Sequence, residues 1–165
     1  LESLFNRLFS KSENTLLCSG ADEPFYQASV DQKPATIFSR EDFFSSALHE
    51  TAHWCIAGQQ RRQLDDFGYW YEPDGRSAQQ QAEFERVEVK PQAIEWLFSL
   101  ACNHHFYFSA DNLNATEGCS EDFKQMVYRQ AKDYLQNGLP TRAALFFDSL
   151  NSHFRDGKKV NLLDV

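Results

Sequence analysis

The first nine residues place Leu4, Phe5, Leu8 and Phe9 at helical spacing and predict a short N-terminal helix. Three short β-like runs follow, Thr15–Cys18, Pro24–Gln27 and Ala35–Phe38, separated by Gly, Asp and Pro punctuation. Ser39-Arg40-Glu41-Asp42 then reads as a capping box with acids in the first turn, so a helix is predicted over Arg40–Ala57, stopped by Gly58. At about 100° per residue, Phe44, Ala47, Leu48, Thr51 and Cys55 share an apolar face, with Ala52 and Ile56 at its margin. His49 and His53 project from roughly the opposite side.

An aromatic, turn-rich stretch comes next, with Pro73-Asp74-Gly75 as its strongest turn signal. Ser77 with Gln80 suggests a helix start, running through Ala82 and Phe84 toward Glu88. Pro91 is expected to end that helix and to open a new one over Gln92–Cys102. Two further helices are predicted, over Asp122–Gln136 and Thr141–Phe154, with a loose tail from Arg155. No repeat, low-complexity tract or linker divides the chain. The pattern predicts one helix-rich α+β domain over residues 1–165, with a small N-terminal sheet.

Composition narrows the functions open to such a domain. Hydrophobic residues at 42 % and aromatics at 15 %, with 15 Phe, predict a closed core dense in rings. The net charge of −8 repels phosphate and argues against direct nucleic-acid binding through a basic groove. It suits a basic partner. No apolar run approaches the roughly 20 residues of a membrane span, and Leu1–Glu13 lacks the pattern of a signal peptide. Cys18, Cys55, Cys102 and Cys119 are too scattered for a disulfide framework or a zinc knuckle, which leads to reduced thiols and a cytoplasmic protein.

His49-Glu50-Thr51-Ala52-His53 is H-E-x-x-H on a predicted helix. Spacing of i, i+4 puts both imidazoles on one face, one turn apart, where they can share one metal ion, while Glu50 can reach a metal-bound water. The plainer alternative is two histidines satisfied by hydrogen bonds inside a helical core. A metal held by two histidines needs a third ligand, and the candidates are Glu83, Glu85, Glu88, His104, His105 and Asp111. Glu88 stands out because it interrupts the apolar pair Val87 and Val89, as either a salt-bridge partner or a ligand. Two His and one carboxylate serve two chemistries. With zinc they activate water for hydrolysis; with iron(II) they occupy one face of an octahedron and leave positions for O₂ and substrate. The loop Phe67–Tyr71, preceded by Asp65 and Asp66, offers rings and carboxylates to a cationic side chain. Its plainer reading is a packed surface loop.

The strings ALHETAHWCIAG, RRQLDDFGYWYEPDGR and FERVEVKPQAIEWLF together resemble the bacterial elongation factor P hydroxylase family. GADEPFYQ upstream and NGLPTRAALFF downstream fit the same family, so the resemblance spans roughly Asn14 to Leu150. It implies an enzyme that hydroxylates a lysine of translation elongation factor P, usually one already carrying a β-lysyl group. It also implies a non-haem metal centre, expected to be iron(II) with O₂ as co-substrate, in a core similar to that of H-E-x-x-H proteases. Carried over by position, His49, His53 and Glu88 match the metal ligands and Glu50 the motif's acid. Asp66, Tyr69 and Tyr71 are then expected to meet the modified lysine. The chain has no H-x-D or H-x-E triplet of the 2-oxoglutarate oxygenases, so no motif names the reductant. The rivals are a zinc peptidase or amidase with Glu50 as general base, and a non-enzymatic module in which an ion staples two helices.

Overall fold

The computed structural model describes residues 1–66, 77–109 and 119–162. Over these residues the fold is α+β. Helix α1 (Glu2–Phe9) leads into strands β1 (Thr15–Ala21), β2 (Phe25–Gln27) and β3 (Ala35–Arg40), followed by helices α2 (Phe44–Ile56), α3 (Ala78–Ala101), α4 (Glu121–Asn137) and α5 (Thr141–Arg155). The three β-like runs of the sequence are the three strands. They form one sheet in the order β1-β3-β2, with β1 parallel and β2 antiparallel to β3. The free edge of β1 is partly covered by α1. There Asn6 Nδ2 donates to the Leu17 carbonyl and Asn6 Oδ1 accepts from the Leu17 amide, as a neighbouring strand would.

The start of α2 corrects the expected capping box. Ser39 is part of β3, where Ala35, Ile37 and Ser39 alternate into the interior, and its hydroxyl is buried. Backbone pairing continues past it, through Gly20 N–H to the Glu41 carbonyl and Glu41 N–H to the Ala21 carbonyl. The sheet therefore holds Ser39 and Arg40 extended, the chain turns at Glu41 with φ 43°, and the helix starts at Phe44 with no side-chain cap. Ser46 Oγ accepts the Arg40 amide instead.

Pro91 does not end a helix. α3 runs through it as one element of 24 residues, opened by the expected Ser77–Gln80 capping box. Proline removes one backbone hydrogen bond and crowds the preceding turn. Here that cost is outweighed by burial, because every residue from Pro91 to Cys102 is buried between its neighbours. The tail is a third correction. Val160 and Leu162 are buried in a cluster with Trp96, Leu97, Leu100 and Phe106, and Arg155 donates to the carbonyls of Leu100 and Lys159.

The expected ring-rich core lies between α1, α2, α3 and α5. Phe5, Phe9, Trp54, Phe98 and Phe146 stack edge-on or tilted, with centroids 4.8–6.5 Å apart. Trp54 lies off the apolar face read from the sequence, yet it is buried because α1 and α5 close over it. Arg142 packs on its ring and donates to the carbonyls of Trp54, Cys55 and Ala57, satisfying the C-terminal end of α2. The four cysteines are free thiols. Among the described residues, no helix is long and apolar enough to cross a membrane.

Candidate metal centre

α2 has two unlike faces. Ala47, Leu48, Thr51, Ala52 and Cys55 are buried, whereas His49 and His53 stand on the side that meets α3 and keep about a quarter of their side-chain surface exposed. The facing surface of α3 is unusual for a buried helix. Glu88, Gln92, Glu95 and Ser99 are all buried, at steps of four, three and four residues, so they form one polar stripe.

The two elements bring together three of the expected site residues. One donor atom each from His49, His53 and Glu88 lies within 4.8 Å of the others. The His49 and His53 Nε2 atoms are 3.1 Å apart. Glu88 Oε1 is 3.2 Å from His53 Nε2, and Glu88 Oε2 is 3.8 Å from His49 Nε2. Burial alone would raise the Glu88 carboxyl pKa. The charge and hydrogen bond of His53, then His49 and Gln92, outweigh it and hold the group at about 2. Burial likewise pulls His49 down, but Glu95, Glu88 and Glu50 reverse it, and the imidazole is pushed up to about 10. Glu50, beside the cluster, has its carboxyl raised by burial against the opposing pull of His49 and His53.

This donor set fits a divalent transition-metal ion. Two imidazole nitrogens bound side by side to one ion at about 2.1 Å stand roughly 3 Å apart, which is the spacing found. Glu88 Oε2 is buried and has no hydrogen-bond partner, an expensive arrangement unless a cation faces it. The plainer reading, two histidines satisfied by hydrogen bonds, accounts for the contacts of His49 with Glu95 and of His53 with Glu88, but it leaves Glu88 Oε2 without a hydrogen bond.

The other candidates are engaged elsewhere. Glu83 pairs with Arg86, and Glu85 accepts the amide and hydroxyl of Ser120, the residue capping α4. His104 Nε2 meets Ser45 Oγ, and His105 packs against Tyr107. Asp66 is paired with Arg61 at 2.5 Å and bridged through its backbone to Tyr26. Tyr69, Tyr71 and Asp111 lie outside the described residues, as does the Pro73-Asp74-Gly75 turn. One residue of the site was missed: Glu95, whose Oε2 lies 2.7 Å from His49 Nδ1. Its signal was the polar stripe itself, which the expected break at Pro91 divided between two helices.

Two imidazoles from one helix and a carboxylate from the next define a candidate centre of the two-histidine, one-carboxylate class. Over residues 4–163 the chain matches the family described as elongation factor P hydroxylase. It is also 48 % identical, over 161 residues, to the elongation factor P lysine hydroxylase of Haemophilus influenzae, covering 97 % of this chain and 90 % of that protein. The chain belongs to the elongation factor P hydroxylase family.

Proposed function

We propose that this protein hydroxylates a lysine side chain of translation elongation factor P, at a metal held by His49, His53 and Glu88. The observation that carries the reading is the convergence of the two Nε2 atoms on a buried carboxylate with one oxygen that has no hydrogen bond. Family membership supplies the reaction class. Iron(II) bound there supplies activation of O₂ for insertion of one oxygen atom into an unactivated C–H bond, with two electrons from an external reductant.

The chain's own residues do the rest. His49 and His53 hold the ion from one rigid helix and Glu88 from the next, and the exposed edges of the two rings keep one side open to a substrate. Glu50, its carboxyl raised by burial, holds or passes a proton beside the centre. Asp66, on exchanging Arg61 for the substrate, receives the cationic side chain together with Tyr69 and Tyr71, and on a β-lysylated target that side chain carries extra positive charge. The chain's net charge of −8 favours that encounter. The helix-borne pair with an acid between is the basis on which we propose a core similar to that of H-E-x-x-H proteases. The setting is the cytoplasm, where elongation factor P works.

The test is intact-mass analysis of β-lysylated elongation factor P after incubation with the iron(II)-loaded protein, O₂ and a reductant. A gain of one oxygen atom is expected. An unchanged mass would refute the reading, and chain cleavage would transfer the site to the zinc peptidases.

A further inference from the structure

His49 lies between two turns of α3. Its Nε2 faces Glu88 and its Nδ1 faces Glu95, seven residues further along the same helix, an axial step of about 10 Å. An imidazole ring has one nitrogen at each of these positions, aimed in divergent directions. Glu95 therefore sits across the ring from the point where the three donor atoms converge, and it is not a candidate for that donor set. It is buried, its Oε2 is 2.7 Å from Nδ1, and an ionised carboxylate is only an acceptor. The proton of the pair accordingly belongs on Nδ1.

We infer that Glu95 is a positioning residue for the metal centre: it keeps one proton on His49 Nδ1, so that Nε2 is the nitrogen that yields its proton and turns its lone pair toward His53 and Glu88 when a metal binds. The inference rests on the reading of His49, His53 and Glu88 as the ligand set. Without Glu95 the neutral ring is free to carry its proton on Nε2, which closes that nitrogen to a metal. Its rotation about the bond to Cβ is also no longer fixed. A buried carboxylate at Nδ1 makes the ring a stronger donor at Nε2 as well, and loss of such partners typically costs about 10- to 100-fold in metal affinity. One helix thus supplies both a ligand, Glu88, and the group that orients the ligand opposite it.

The experiment titrates metal-free wild-type protein, Glu95→Gln and Glu95→Ala with Co(II) and Zn(II) against a chromophoric chelator. In parallel, nitrogen-15 NMR reads the ring protons, and their exchange rates, of zinc-loaded wild type and Glu95→Gln. Both variants are expected to bind either metal about 10- to 100-fold more weakly, Gln included because its amide presents a donor as readily as an acceptor. The zinc-loaded wild type is expected to show a slowly exchanging proton on His49 Nδ1. A purely structural role would lower thermal stability without moving that proton. Glu95→Ala affinity within twofold of wild type, or a His49 Nδ1 proton that exchanges as fast in wild type as in Glu95→Gln, overturns the inference and leaves the ligand set standing. Should wild type bind neither metal, the ligand set fails and the inference with it. If Glu95→Ala does not fold, Glu95→Gln, which keeps the volume of the side chain, still decides.

Discussion

The two sides of α2 solve opposite problems. On one side Trp54, Phe5, Phe9 and Phe146 close a ring cluster by burial, which has no preferred direction and spreads its energy over many contacts. On the other, His49 and His53 meet a polar stripe whose contacts are few, directional and incomplete, with Glu88 Oε2 lacking a hydrogen bond. The first side gives the helix its place, and the second uses that place. A substitution on the ring side should therefore cost stability first, and one on the polar side should cost metal binding first.

The largest expected effect breaks the polar side outright. His49→Ala, His53→Ala and Glu88→Gln should each abolish stable metal binding and hydroxylation of elongation factor P while leaving a folded protein, because the ring cluster is untouched. Metal content after gel filtration, circular dichroism and target mass together check this. Full activity in any of the three would remove that residue from the ligand set.

Phe146→Ala attacks the other side. Phe146 is fully buried against Phe5, Phe9 and Phe98, so its truncation should destabilise by about 3–5 kcal/mol in chemical denaturation. Below its unfolding temperature the variant should still bind metal with near wild-type affinity. A large affinity loss in the folded variant would erase the distinction between the two sides.

A smaller effect is set by pH. His49, raised to about 10, carries a proton in the metal-free protein at neutral pH, and a metal must displace it. Affinity should rise about tenfold per pH unit through neutrality and flatten as the pH approaches that value. The metal-free protein should also lose stability in both directions. The contribution of His49 is complete below its ordinary 6.5 and is lost as pH rises through about 10. That of Glu88 is complete above its ordinary 4.5 and is lost as pH falls through about 2. Glu50, raised by burial, adds a loss of its own as pH rises above its ordinary 4.5. Thermal melts of metal-free and zinc-loaded protein at pH 6 and 8 check the sign: the gap between them should widen at pH 8.

What the sequence makes legible follows from how local each signal is. The three strands, the pair on α2 and Glu88 were readable because each is a matter of spacing within a few residues. The elements misread are those that a distant contact decides. Ser39 looks like a cap until β1 holds it in the sheet. Pro91 looks like a break until burial on every side of α3 carries the helix through it, and only then do Glu88, Gln92, Glu95 and Ser99 fall on one face. Val160 and Leu162 look like a loose end until Trp96 and Phe106 give them somewhere to pack.

The smallest expected effect is the sharpest control on the comparison. Glu83 and Glu88 share α3 and differ by five residues, so they point in different directions from the helix axis. Glu83 pairs with Arg86 in solvent, both side chains being mostly exposed, and water screens what the pair gains. Glu83→Gln removes the same unit of charge as Glu88→Gln, yet it should leave the melting temperature within error and metal affinity within about twofold. If Glu83→Gln weakened metal binding as Glu88→Gln does, the centre would be responding to the general negative charge of α3. A null result at Glu83 beside total loss at Glu88 ties binding to one carboxylate in one position.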